Sequence, residues 1–468
     1  MHSSKLSISL FLFLLISLQA HSQGQAPKLY DAPKPLPFSV SSVQSANSEL
    51  LSPHASRQSG SMLLTRQQAE QIALTNNPHV HIGQLIAKVQ HEVVRERRAD
   101  EMPTLYGNLT AADANDGSRI SSGSLTASRL LVHVGAGLQL SQLITDFGRT
   151  HNLVASAKLQ EKARLADAEA SRQDIVLATD QVFYAVIEAQ NTLKVATQTV
   201  AARQSLADRV SALASSKLKS DLDLSFARVN LSQSKLLELN ARNSLDAAKA
   251  AFSAVLGYEK QVDFQLVDDT DSLPALPAGS DTLIAQAIQN RPDLQSLRFS
   301  EQAAQKFSKA QREQLLPTIS ALGTVGKTPV GSSQYFTTNW YGAVGGNISI
   351  PIFNGFRFAA QSSAASLQAQ AASEQTRALR EQVARDVRTA WLNANTALQR
   401  VRVTEELLKE TNTALDLAKT RYDLGLSSIV ELSQAELQQT EAAIDNADAR
   451  SRYSFAVSTI NFQTGVQP

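Results

Sequence analysis

The chain has 468 residues, a formal net charge of +1, 43% hydrophobic residues and no cysteine. The near-neutral charge argues against a nucleic-acid partner, which needs a basic face. Without cysteine there are no disulfides, no thiolate metal sites, no cysteine catalysis and no lipid on an N-terminal cysteine.

Residues 1–22 read as a signal peptide. Lys5 supplies a positive start, Leu6 to Leu18 is an apolar run of 13 residues, and Ala20-His21-Ser22 places small residues at a cleavage site. The run is too short to cross a bilayer as a helix; the alternative is a buried N-terminal helix. No other stretch reaches the roughly 20 apolar residues of a transmembrane helix. Any membrane crossing must therefore use strands. Residues 23–62 are rich in Ser, Pro and Gln without periodicity and read as a disordered linker.

A first repeat spans 63–257. Thr65 caps a helix to about Leu74, Asn76-Asn77-Pro78 breaks it, and a second helix runs from about Val80 to Glu101, before Pro103. The period then becomes twofold in a strand pair at about 104–142, with Asp113 to Arg129 as a polar loop. Val134, Ala136, Leu138 and Leu140 face one way, and Gly135, Gly137 and Gln139 the other. A long helical hairpin follows at about 149–256, and 258–279 is a linker.

The second repeat, 280–465, runs the same way. Ser280 or Asp281 caps a helix through Ala287, Asn290-Arg291-Pro292 breaks it, and another helix reaches Leu316 before Pro317. Both prolines stand 214 residues after Pro78 and Pro103. A strand pair at about 318–351 places Val344, Ile348 and Ile350 on one face and Tyr341, Asn347 and Ser349 on the other. The hairpin at about 357–464 opens with a helix to Asp423 that is 67 residues long, about 100 Å at 1.5 Å per residue. Val387, Ala394, Val401, Leu408, Leu415 and Tyr422, with Ala390, Ala397, Thr404, Thr411 and Ala418, form a heptad seam. Moved back by 208, the seam falls on Val186, Leu193, Val200 and Ala207, Trp391 on Phe183, and Gly465 on Gly257. Such self-similarity marks an internal duplication.

Strands of about ten residues, apolar on one face and polar or glycine on the other, fit an outer-membrane barrel. A half-buried soluble hairpin is the alternative, and the exported chain with its very long helices weighs against it. Four strands leave open edges, which lipid does not tolerate. Three copies would supply twelve strands.

The ordered set resembles the TolC-type outer-membrane efflux family, from about Leu63 to Gly465. The resemblance rests on the duplicated order of helices, breaks, strand pair and hairpin. It also rests on Ser349-Ile350-Pro351-Ile352-Phe353-Asn354-Gly355 entering the long helix and on Tyr422-Asp423-Leu424-Gly425 at the hairpin turn. It implies a mainly α fold with β. In the family, duplicated hairpins form a periplasmic helical barrel, and a homotrimer closes a twelve-stranded β-barrel in outer-membrane lipid. It further implies an exit duct of an efflux or type I secretion system, docked to a periplasmic adaptor and an inner-membrane transporter. The gate it implies involves Tyr422, Glu431 and, in repeat 1, Asp223. Ser427 stands where the family has an arginine, and Gln434 where it has a second aspartate, so Lys217 and Lys219 are candidate cations. Adaptor docking falls to Gly425 and Leu426 at one turn and to Lys217 and Leu218 at the other, where Lys217 stands at the place of the turn glycine. Asp223 and Glu431 could equally be solvated helix-end charges.

No cofactor or metal is expected. His79 and His81 do not share a helix face, and neither they nor His91 has a carboxylate cluster. Asp146-Phe147-Gly148 is a turn aligned with Phe353-Asn354-Gly355, not a kinase triplet, since no accompanying motif exists. No nucleophile–base pair stands out, so an enzyme is not expected. An exported coiled-coil tether would need the helices but not the recurring strand pairs. An adaptor would need compact β-rich domains that are absent from the pattern.

Overall fold

The computed structural model describes residues 62–112, 119–122, 125–129, 133–270, 272–327 and 340–466. The signal peptide and nearly all of the 23–62 linker lie outside them. A short strand β1 (Met62–Leu64) leads into α1 (Arg66–Asn76), whose start is a capping box between Thr65 and Gln68. Asn77 ends α1 and caps α2 (Pro78–Ala99), with Pro78 at the first helical position, where its missing N–H matters least. Next come β2 (Thr104–Ala112), β3 (Arg119–Ser122), β4 (Leu125–Arg129) and β5 (His133–Thr145). The expected loop 113–129 thus contains an antiparallel hairpin of β3 and β4, which pairs backbone groups that a bare loop would leave to solvent.

The chain continues as α3 (Arg149–Ser215), α4 (Asp221–Val255) and β6 (Phe264–Leu266). It then repeats itself as α5 (Ser280–Asn290), α6 (Pro292–Glu313), β7 (Thr318–Lys327), β8 (Trp340–Ser349), α7 (Arg357–Asp423) and α8 (Ile429–Thr464). Helix lengths match pairwise: 11 and 11, 22 and 22, 67 and 67, 35 and 36 residues. The α5 cap differs from expectation: Gly279 holds the cap position without a side-chain bond, and Ser280 is already helical.

The 258–279 linker is more structured than its composition suggested. Its β6 pairs in parallel with β1, and Leu64, Phe264 and Leu266 join Phe183 and Phe252 in a buried cluster. Further on, the Pro274 carbonyl accepts from the Tyr453 hydroxyl at 2.6 Å and the Pro277 carbonyl from the Trp391 indole at 2.9 Å. These two hydrogen bonds strap the linker to α8 and α7.

The helices form a layer. α3 packs against α2 and α4 on one side and against α6 and α8 on the other, and α7 packs against α6 and α8. At the strand-to-helix junctions, positive φ falls on Phe147 and Gly148 in the first half and on Gly355 and Phe356 in the second. The junctions therefore superpose at an offset of 208, not the 207 of the sequence alignment, with Phe and Gly exchanged. Asp146 and Asn354 then coincide; Asp146 accepts from the backbone N–H groups of Gly148 and Thr150.

Four of the strands form one antiparallel sheet in the order β2-β5-β7-β8. Cross-strand partners share a face. One face carries Leu105, Leu140, Gly323 and Val344 in one row, and Leu109, Ala136, Lys327 and Trp340 in another. The other carries Tyr106, Gln139, Thr324 and Ala343, then Asn108, Gly137, Gly326 and Tyr341. Gly137 and Gly326 leave room for the Tyr341 hydroxyl: a Cβ at either would lie 2.8 Å or 2.6 Å from it. The apolar face is uncovered; Val344 is 92% and Leu109 81% exposed.

Candidate functional site

Two places concentrate features that a packed core does not need: the sheet, and the tips where α3 turns into α4 and α7 into α8. Among the described residues no helix is long and apolar enough to cross a membrane.

Both tips are built alike. In the second, the Leu426 N–H donates to the Arg421 carbonyl at 2.8 Å around Gly425, whose φ is +72°. In the first, the Leu218 N–H donates to the Leu213 carbonyl at 2.9 Å around Lys217, whose φ is +58°. This is the Schellman closure of a helix, which favours glycine at the left-handed position. Lys217 adopts it despite its Cβ. Leu218 and Leu426 then project outward, 72% and 68% exposed.

The next helices start with serine caps. Ser220 and Asp223 form a capping box, the Asp223 N–H donating to Ser220 Oγ at 3.1 Å and the Ser220 N–H to Asp223 Oδ2 at 3.2 Å. Ser428 accepts from the Glu431 N–H at 3.3 Å, but the Glu431 carboxylate turns away and meets Arg421 Nε at 3.2 Å. Carboxylates in a first turn also favour the positive end of the helix dipole. Arg421 was not singled out in the sequence; it is ten positions from Glu431, and the turn brings them together.

Tyr422 is 4% exposed in a cluster with Val210, Leu231, Ile429 and Leu432. Lys219 Nζ sits 4.3 Å from its ring centroid, a cation–π contact linking the two tips. Burial, with Asp223 and Asp423 nearby, pushes the Tyr422 hydroxyl pKa up, while Arg209 opposes this. Arg209 Nη1 reaches Asp423 Oδ1 at 3.1 Å, a second link between tips. Neither Lys217 nor Lys219 pairs with Asp223 or Glu431. Ser427 Oγ is enclosed without a hydrogen-bond partner, and Gln434 is exposed on α8.

Above the tips a further charged pair is buried between hairpins. Arg203 Nε and Glu436 Oε2 are 3.7 Å apart, and Arg203 also donates to the Asn230 carbonyl at 3.0 Å. Burial raises the Glu436 pKa, against Arg203 and Lys419. The pair borders a cavity of about 340 Å³ lined also by Gln198, Asn412, Asp416 and Gln439. Arginine at a heptad position was the available signal for it.

His91 pairs with Glu161 at 2.7 Å, and His81 Nε2 lies 2.9 Å from the Thr75 carbonyl. Among the described residues no group of three or more His, Asp or Glu side chains could hold a metal ion.

Comparison with known proteins agrees with this architecture. The TolC outer membrane protein of Salmonella enteritidis is 23% identical over 85% of this chain and 80% of its own length. The outer membrane protein OprJ of Pseudomonas aeruginosa is 23% identical over 78% of this chain and 76% of its own. The crystal structure of the outer membrane protein VceC of Vibrio cholerae superposes with a TM-score of 0.72 at 18% identity, covering 86% of this chain and 96% of VceC. The family model for outer membrane efflux proteins matches residues 70–258 and 283–466, one stretch in each half. The chain therefore belongs to the outer membrane efflux protein family, as a channel of the outer membrane extending into the periplasm.

Proposed function

We propose that three copies of this chain close a twelve-stranded barrel and a helical tunnel, forming a passive exit duct for a partner transporter. The observation that carries the reading is the two-faced sheet with unpaired edges. β2 and β8 have no further partner strand among the described residues, and an open edge is not viable in lipid. The helix layer has matching open sides. Exposed Ile82, Leu85, Ile86 and Val89 line α2, exposed Leu222, Phe226 and Val229 line α4, and exposed Leu392, Val403 and Leu407 line α7. Stripes at helical spacing on both borders suit closure of one copy on the next.

The tips close the periplasmic end. Lys219 on Tyr422, Arg209 on Asp423 and Arg421 on Glu431 hold it, with Asp223, Ser427 and Gln434 in the same ring. Leu218 and Leu426, presented by Lys217 and Gly425, dock a periplasmic adaptor, which recruits an inner-membrane pump. The duct performs no chemistry of its own. A tether of envelope layers would leave the apolar sheet face without a role.

Native mass spectrometry of the full-length protein in mild detergent tests the assembly. Three chains per particle are expected; a monomer at micromolar concentration overturns the reading.

A further inference from the structure

We propose that a basic groove between α2 and α3, directly below the sheet, binds the phosphate head groups of anionic phospholipids in the adjoining leaflet. The proposal rests on the reading that the sheet spans the membrane.

The groove holds about 560 Å³ and is lined by His91, Arg95 and Arg98 from α2 and by Lys158, Glu161 and Lys162 from α3. Several of these charges are engaged. His91 pairs with Glu161 at 2.7 Å, Arg95 with Glu92 at 2.7 Å, and Lys162 Nζ lies 5.8 Å from the Phe299 ring centroid. Arg98 and Lys158 are exposed and have no acidic partner among the described residues. Two unneutralised cations beside a cleft create a local field for anions.

The groove opens away from the proposed subunit contacts. With 3.6 residues per turn, Arg95 and Arg98 point about 160° from the mean direction of Ile82, Leu85, Ile86 and Val89 on α2. On α3, Lys162 precedes Phe183 by three heptads and so shares its face, and Phe183 packs with Ala69 and Ala73 of α1. The groove thus lies on the face that carries α1. Gln160 and Arg164, on another face of α3, line a separate cavity with residues of α6 and α7.

Its height is set by the chain. Arg98 precedes the first residue of β2 by six positions, and Lys158 follows the first residue of α3 by nine, about 14 Å along the axis. Between groove and sheet, Met102 and Phe147 are exposed apolar residues. The polar layer of a bilayer adds about 5–8 Å to each side of the hydrocarbon, and long cationic side chains reach toward it while their stems stay on the protein. Exposed Leu165 lines the same groove and offers an apolar lip to a glycerol or acyl segment.

A basic residue near an anionic leaflet is worth roughly a fivefold gain in affinity. The test reconstitutes the full-length protein in nanodiscs of phosphatidylcholine with a minority of phosphatidylglycerol. Native mass spectrometry then counts the lipids retained on extraction. Preferential retention of phosphatidylglycerol is expected, weakened about 25-fold in an Arg98→Ala, Lys158→Ala double variant. Restoration by Arg98→Lys with Lys158→Arg, and no change in Lys260→Ala on the α4–β6 loop, are expected as well. Equal retention in the double variant, or equal loss in Lys260→Ala, overturns the proposal. Full displacement by free glycerol phosphate assigns the groove to small anions and also overturns it. Failure of the wild type to enter the discs defeats the membrane reading itself, and this proposal with it.

Discussion

The two halves of the chain place α1 on α3 and α5 on α7 with helices of the same lengths, and Ala69 and Ala73 pack on Phe183 as their counterparts do in the second half, yet only the first contact adds buried charge. In the second half the contact is apolar: Leu283 and Ala287 of α5 meet Val383, Val387 and Ala390 of α7. In the first half it holds charge. Arg66 Nη1 lies 2.5 Å from Glu70 Oε1 and 3.2 Å from Asp180 Oδ2, with the carboxylates 4% and 3% exposed. The corresponding positions are Ser280, Ile284 and Arg388, and Arg388 is exposed. Duplication fixed the backbone path, while the side chains that stabilise it diverged. Two buried carboxylates sharing one arginine form a network that is stable only while every member is present.

The largest effect should come from removing its cation. Arg66→Ala leaves the buried Asp180 carboxylate without its counter-charge and should destabilise by about 3–5 kcal/mol. Arg388→Ala, at the surface of the other half, should stay within about 0.5 kcal/mol. Chemical unfolding of the two variants side by side checks the contrast.

The second effect is pH dependence. Burial first, and then the neighbouring Asp180, push the Glu70 carboxyl up to about 8 from 4.5, against the pull of Arg66. Asp269 and Tyr184 face the same cluster. A carboxyl whose pKa is higher folded than unfolded holds its proton more tightly in the native state. Its contribution is complete below about 4.5 and is lost as pH rises through about 8. Melting temperature should fall across that window in the wild type and flatten in Glu70→Gln.

A smaller effect separates the tips. Lys217 adopts the conformation that Gly425 adopts in the other half. Lys217→Gly should therefore stabilise by about 1 kcal/mol and Gly425→Ala destabilise by a similar amount. Thermal melts of the two variants check the opposite signs. Smallest in stability is the exposed Arg421–Glu431 pair, worth under about 1 kcal/mol, although its loss should show in conductance.

Much of this was legible in the sequence because it is periodic or punctuated. Asn77-Pro78, Pro292, the heptad seam to Tyr422 and the alternation around Leu138 and Val344 each impose local geometry. What escaped was set by long-range approach. β1 and β6 are three residues each and carry no period, so their pairing across 200 residues left no trace. Arg66 and Asp180 are 114 positions apart and meet only once α1 lies on α3. At the tip, Tyr422, Asp223 and Glu431 could be named, but Arg421 and Arg209, their basic neighbours, look like ordinary surface residues of a long helix.

The proposed duct crosses the membrane and is held shut at its helix tips. Single-channel conductance of the full-length protein in planar bilayers tests it most directly, beside an Arg209→Ala, Arg421→Ala double variant. Small openings are expected in the wild type and several-fold larger ones in the variant. Inserted, folded protein whose openings are the same in both would contradict closure at the tips, and the absence of any conductance in the variant would contradict the duct.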